Sequence, residues 1–359
     1  MLSNPSVAVF GAGAFGRNHL RVYREIEAAT DGVRLAAIVD PDAATADLLR
    51  VQNQEQGNQE QGRVLVFTSV EECLEARRAG KLQLDAVSIC APTSAHYALV
   101  SQSLAEGLDV LVEKPLAATL AEAESLVRQA AQGQQILQVG HLERFNPAVT
   151  AVLPLLKGPM FFEAHRLSVF TPRALDVDVV LDLMIHDLDI VLRLAQSAVR
   201  EVHAVGLPIL SPKVDIANVR LEFASGAVAN FTASRVSTEK VRKLRFFQPH
   251  QYLSIDYARQ DLLVIQVAGN QLSGDHVFGE AHQPSAPAPL MPSLGFSKPA
   301  VKAGEPLRLE IEAFLDSVRM RTPPLVDAGQ GRDALALALR INEEIEQHSA
   351  RAGLDRFRT

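Results

Sequence analysis

A chain of 359 residues has room for two domains at about 150 residues each and for a sizeable buried core. Its 47% hydrophobic and 21% charged residues match a folded globular protein, which excludes global disorder and a fibrous architecture. The 35 basic and 42 acidic side chains leave a net charge of -7, which argues against a nucleic-acid partner held by its phosphates and points to small molecules or proteins.

No apolar run reaches the roughly 18 residues of a membrane helix. The first basic residue is Arg17, and Gly11, Gly13 and Gly16 interrupt the apolar start, so a secretory signal is not expected and the chain reads as cytoplasmic, without a membrane partner. Cys73 and Cys90 are too few for a disulfide framework and lack the CxxC spacing of zinc or redox sites, so two buried thiols and no metal are expected.

From residue 7 onward, short apolar runs alternate with helical patterns, the signature of βαβ units around a parallel sheet. Runs at 7–10, 35–39, 64–67, 86–90, 110–112 and 136–139 predict six strands of an α/β, doubly wound Rossmann domain over residues 1–140. The first run leads into Gly11-Ala12-Gly13-Ala14-Phe15-Gly16, a G-x-G-x-x-G placed between strand and helix. Gly11 permits the tight turn, Gly13 lets backbone approach a pyrophosphate, Gly16 allows close helix packing, and the helix N-terminus favours the anion. Asp40 ends the second run, 24 positions after Gly16. Its carboxylate can accept hydrogen bonds from a ribose diol and would repel a 2'-phosphate. Pro41 and Asp42 follow and no arginine is adjacent, so NAD rather than NADP is the expected cofactor.

Residues 52–62 contain the near-repeat QEQGNQEQG, too polar to pack, and read as a surface insertion. The fifth run ends in Glu113-Lys114-Pro115. Ligands in open α/β sheets lie outside the carboxyl ends of the strands, so Lys114 can polarise a substrate oxygen, while Pro115 stiffens the turn. A lone lysine at a strand end is usually just solvated.

Beyond residue 140 the pattern changes to a second, α+β domain over 141–359, whose C-terminal helices can pack back on the first. Helical stretches are expected at 143–156 and 177–195, with a strand at 161–168 between them. Alternating segments of a largely antiparallel open sheet follow, with runs at 241–247, 252–257 and 262–267 and a hairpin turn at Ser225-Gly226. Residues 269–304 read as a long loop, and 307–318 and 333–346 as closing helices. The 177–195 helix has 13 apolar residues of 19, so it should be buried nearly all round. On it Asp182, His186, Asp189 and Arg193 fall at i, i+4, i+7 and i+11, one continuous stripe. That stripe is either a solvated, salt-bridged face or a carboxylate-histidine pair facing a cleft, with Asp182 orienting an imidazole that moves a proton near neutral pH. Metal binding is a weaker third reading.

The glycine fingerprint, the strand-end Glu-Lys-Pro and the helical Asp-x3-His, in this order in one chain, resemble the Gfo/Idh/MocA family of glucose-fructose oxidoreductases and inositol dehydrogenases. The resemblance spans nearly the whole chain. It implies that Lys114, Asp182 and His186 form the catalytic group at the nicotinamide. It implies cofactor contacts from Gly11, Gly13, Ala14, Phe15, Gly16, Asp40, Pro92, Thr93, His96, Glu113 and Lys114. The segments 139–147 (VGHLERFNP) and 182–189 (DLMIHDLD) are similar to the branch that oxidises the C3 hydroxyl of UDP-N-acetylglucosamine to a ketone, which an aminotransferase later converts for lipid A. A nucleotide sugar needs cations for its pyrophosphate, and Arg144, Arg166 and Arg173 lie in or beside segments expected to line the cleft. Asn146, Asp182 and His186 complete the expected substrate set. A free polyol is the alternative substrate, and a non-catalytic NAD-binding regulator the alternative outside enzymes. An exposed sheet face predicts a homodimer or homotetramer.

Overall fold

The structure is a computed structural model that describes residues 4–30, 32–56, 64–171, 177–267 and 294–354. It divides into two units, Met1–Leu142 with Glu305–Leu335, and Glu143–Gly304 with Ala336–Thr359.

In the first unit, strands β1 (Ser6–Phe10), β2 (Arg34–Val39), β3 (Leu65–Phe67), β4 (Ala86–Ile89), β5 (Asp109–Glu113) and β6 (Leu137–Gly140) form a parallel sheet. Its order is β3-β2-β1-β4-β5-β6, so the direction of winding reverses between β1 and β4. Every residue of β1 is buried, as a central strand covered on both faces requires. Helices α1 (Gly16–Ala29), α2 (Ala43–Gln56), α3 (Val70–Arg78), α4 (Thr93–Ala105) and α5 (Leu120–Gly133) alternate with the strands. Helix α5 starts at a capping box in which Thr119 and Glu122 satisfy each other's backbone N–H.

The second unit is built on an eight-stranded sheet of β7 (Phe161–Val169), β8 (Val199–Leu207), β9 (Ile216–Phe223), β10 (Val228–Ser237), β11 (Val241–Gln248), β12 (Gln251–Asp256), β13 (Asp261–Val267) and β14 (Leu294–Ser297). The order is β14-β13-β12-β11-β7-β10-β9-β8, antiparallel except where β7 lies beside β10. Along β9, Ala217, Val219, Leu221 and Phe223 are buried while Asn218 and Arg220 are exposed, the expected period of two. Gly226 makes the β9–β10 turn at φ +85°, a conformation that favours glycine.

Four features depart from the sequence expectations. Strand β8 goes unsignalled because its inward residues include Ala204 and Gly206. A Cβ at Gly206 would stand 2.7 Å from Val214 and 2.9 Å from Ile345, so a larger apolar residue cannot mark that position. Strand β14 lies in the stretch read as a loop; of that stretch, residues 269–293 fall outside the described residues. The helix expected at 143–156 is broken: a 3₁₀ turn at Leu142–Phe145 ends at Asn146, whose side chain accepts from Ala148 N and caps α6 (Pro147–Val152). The helix expected at 177–195 is α7 (Ile185–Ala195) preceded by a π-helical turn at Val180–Met184. Helix α8 (Pro306–Met320) belongs to the first unit although it follows the sheet of the second. Its Leu307, Ile311, Phe314, Leu315 and Val318 form one apolar face that completes the core around Val7, Leu20, Tyr23 and Ile26. Helix α9 (Ala328–Ala352) closes the described chain.

Candidate active site

The glycine loop between β1 and α1 is shaped by what it cannot accommodate. Gly11 has φ +91°, and a Cβ on it would lie 2.8 Å from the Cys90 carbonyl oxygen; a Cβ on Gly16 would lie 1.9 Å from the Gly11 carbonyl oxygen. Gly13, by contrast, would meet nothing within 4 Å, so its backbone borders open space. Helix α1 begins there with no side-chain cap and no acidic residue in its first turn, which leaves its amide dipoles to an anion. Ala14 and Phe15 are exposed at its mouth. Asp40, at the end of β2, accepts from Ala12 N through Oδ2 at 2.7 Å and from Asp42 N through Oδ1 at 3.0 Å. One carboxylate thus ties the loop to the end of β2. These groups fit the pyrophosphate and adenosine of NAD. Pro92 and Thr93, expected at the cofactor, open α4 and are accessible.

The Glu113-Lys114-Pro115 turn follows β5 and is gripped from two helices of the same unit. His19, fully buried on α1, donates from Nε2 to Glu113 Oε1 at 3.0 Å. His96, buried on α4, sets Nδ1 2.8 Å from the Pro115 carbonyl oxygen and Nε2 2.9 Å from the Ala91 carbonyl oxygen. His96 was expected at the cofactor; it lies inside, joining the segments that follow β4 and β5. Glu310 on α8 is fully buried, and neither of its oxygens finds a hydrogen-bond partner among the described residues. Burial, reinforced by the nearby Glu113 charge, pushes its carboxyl well above the usual range. Gly140 on β6, paired with Glu113, leaves the space: a Cβ there would be 2.9 Å from Glu113 Oε1.

In the second unit, Asp182 lies within the π-helical turn, where Ile185 N donates to Val180 O five residues back, and His186 follows in the first turn of α7. Both side chains are half-buried. Such wide turns interrupt the regular ladder and recur at functional sites. The rest of the expected stripe separates from them. Asp189 is buried and receives Arg144 through Nε at 2.7 Å and Nη2 at 3.0 Å, and Arg193 is exposed. Asp187, outside the stripe, is buried against Arg166.

Arg144, Asn146 and Arg166, expected at the substrate, lie within this buried packing. Arg166 pairs with Asp187, donates from Nη1 to Glu143 at 3.1 Å and lies 5.2 Å over the Tyr257 ring. Burial opposes its charge, but the Asp187 and Glu143 carboxylates more than offset that and keep the guanidinium protonated. Asn146 donates to Glu143 Oε2 and to the Tyr257 carbonyl. A charged residue on the inward phase of β7 therefore marks an internal ion pair. Arg173 lies outside the described residues. Sequence reasoning passed over His19 and Glu310; His19 is three positions after Gly16 and shares the inward face of α1 with Tyr23 and Ile26, which is the signal that could have found it.

Comparison with known proteins bears on these residues. Residues 6–141 match the model of the Gfo/Idh/MocA oxidoreductase family with an NAD-binding Rossmann fold, and residues 158–248 match a Gfo/Idh/MocA C-terminal domain. A UDP-N-acetylglucosamine 3-dehydrogenase of Acidithiobacillus ferrooxidans is 32% identical over 339 residues, 94% of this chain and 96% of that one. The solved structure of UDP-N-acetylglucosamine 3-dehydrogenase GnnA from the same organism superposes with a TM-score of 0.81, covering 97% of this chain and 99% of the other at 30% identity. A scyllo-inositol 2-dehydrogenase (NAD(+)) of Bacillus subtilis is 26% identical over 246 residues, 64% of this chain and 67% of that one. The chain therefore belongs to the Gfo/Idh/MocA family of oxidoreductases and is an NAD-binding dehydrogenase of that family.

Proposed function

We propose that this dehydrogenase oxidises the C3 hydroxyl of UDP-N-acetylglucosamine to a ketone. The near full-length likeness to the A. ferrooxidans enzyme carries this reading. NAD, when bound, supplies the acceptor for the hydride that leaves the sugar carbon. His186 takes the hydroxyl proton, Asp182 orients the imidazole, and the Lys114 ammonium stabilises the negative charge that develops on the oxygen. Single substitutions of Lys114, Asp182 and His186 test each role.

A free polyol is the second reading, and one observation favours it. Arg144 and Arg166, which a UDP pyrophosphate would need, are engaged by buried carboxylates. Purified protein incubated with NAD and a panel of UDP-sugars and inositols, followed by NADH absorbance, decides between them. Turnover of UDP-N-acetylglucosamine alone supports the first reading, turnover of inositols alone the second, and NADH from neither sinks both.

We also infer a cytoplasmic homo-oligomer. On the outer face of the second sheet Phe161, Phe247, Tyr252, Ile265 and Phe296 stand opposite one another across five strands, with Phe247 37% and Phe296 58% exposed. An apolar row of that kind is commonly covered by another copy. Light scattering of the eluting protein gives the subunit number, and a monomer at all concentrations would remove the inference.

A further inference from the structure

The grip on the Glu113-Lys114-Pro115 turn has a function that the cofactor and substrate contacts do not supply. A lysine side chain has four rotatable bonds and loses much rotamer freedom when it is held against a reacting oxygen. Its usefulness therefore depends on how firmly its backbone is held, because misplacement by about 1 Å costs rate steeply. Lys114 lies just beyond the last strand residue, and Pro115 offers no N–H.

We propose that His19 and His96 are positioning residues for Lys114, a two-sided clamp in which His19 holds the Glu113 carboxylate and His96 holds the Pro115 carbonyl. The two contacts come from different helices and flank Lys114 immediately before and after it. His96 also bonds the Ala91 carbonyl and so references the turn to the end of the neighbouring strand β4. Gly140 is a third, independent sign. Its missing side chain is the space in which the Glu113 carboxylate sits. The inference rests on the catalytic reading of Lys114, but the clamp is a property of this turn and can be read without turnover.

The experiment uses the full chain with His19→Ala, His19→Gln, His96→Ala, Gly140→Ala and Lys114→Ala. Four quantities are measured: kcat, KM, melting temperature, and the rate at which an amine-reactive reagent labels Lys114 in the cofactor-free protein, read by peptide mass spectrometry against exposed Lys298 and Lys302. We expect His19→Ala, His96→Ala and Gly140→Ala to lower kcat by about 10- to 100-fold with KM for NAD little changed, the scale of a displaced catalytic group. His19→Gln, which keeps a donor toward Glu113, recovers most of the rate. Lys114 labelling rises about threefold or more in the damaged variants as the turn opens, while Lys298 and Lys302 stay constant. Unchanged labelling together with a rate loss that follows the melting temperature would reduce both histidines to packing and overturn the proposal. If Lys114→Ala turns over normally, the catalytic reading fails, and labelling alone still decides the clamp.

Discussion

Arg166 and Asp187 meet through two parallel hydrogen bonds, Nε to Oδ2 at 2.7 Å and Nη2 to Oδ1 at 3.1 Å, with both side chains buried. Arg166→Ala would leave Asp187 and Glu143 charged in the interior without their cation. The expected loss is about 3–5 kcal/mol of stability, the scale of breaking a buried pair from one side. Chemical denaturation of the variant measures it. A variant as stable as the parent but with a raised KM for a UDP-sugar would return Arg166 to the substrate.

Asp40 serves both the glycine loop, through Ala12 N, and the expected ribose contact. Asp40→Ala should weaken NADH binding about 10- to 100-fold, the scale of hydrogen bonds to a charged group. Discrimination against NADPH should shrink in parallel as the repelling charge disappears. Fluorescence titration of both cofactors checks this, and a parent protein that binds the two equally would refute the assignment.

Glu310 ties stability to pH. Its carboxyl is held above the ordinary 4.5 in the folded chain, so between that value and the raised one the folded state keeps a proton that the unfolded state releases. Stability from this group therefore falls as pH rises through that window. Glu310→Gln preserves the neutral shape and removes the ionisation, so it should flatten the decline and raise the melting temperature on the alkaline side. Parallel melting curves of parent and variant across pH would argue against a proton held at Glu310.

Lys114→Ala should cut turnover by about 10² or more while leaving cofactor binding largely intact. His186→Asn should lower the rate with NAD still bound and remove the acidic limb of the rate profile, because a protonated imidazole accepts no proton. Asp182→Asn should give a milder form of the same defect. Steady-state kinetics across pH, with NADH titration alongside, separates these outcomes. A His186→Asn enzyme with the parent rate and profile would end its role as base.

Local pattern carried the first unit. The runs that became β1 to β6 are short, apolar and separated by helical periodicity, and each βα unit buries its run wherever it closes, so six parallel strands follow from neighbours along the chain. The glycine fingerprint and Asp40 were legible for the same reason: their spacing is the chemistry, and Gly11 and Gly16 admit no side chain. Ser225-Gly226 announced its turn through one residue's backbone freedom. What the tertiary structure alone decided is which charge meets which. An arginine on the inward phase of β7 signals a buried cation, but the carboxylate that answers it lies 21 residues on, and the glutamate that answers His19 lies 94 residues on. Small inward residues hid β8, and an Asn-Pro step split a continuous helical pattern. Periodicity records the face a residue occupies. The partner on that face is set by chain closure over long separations, and in a low-dielectric interior that partner determines whether an arginine, a histidine or a glutamate is open to a ligand.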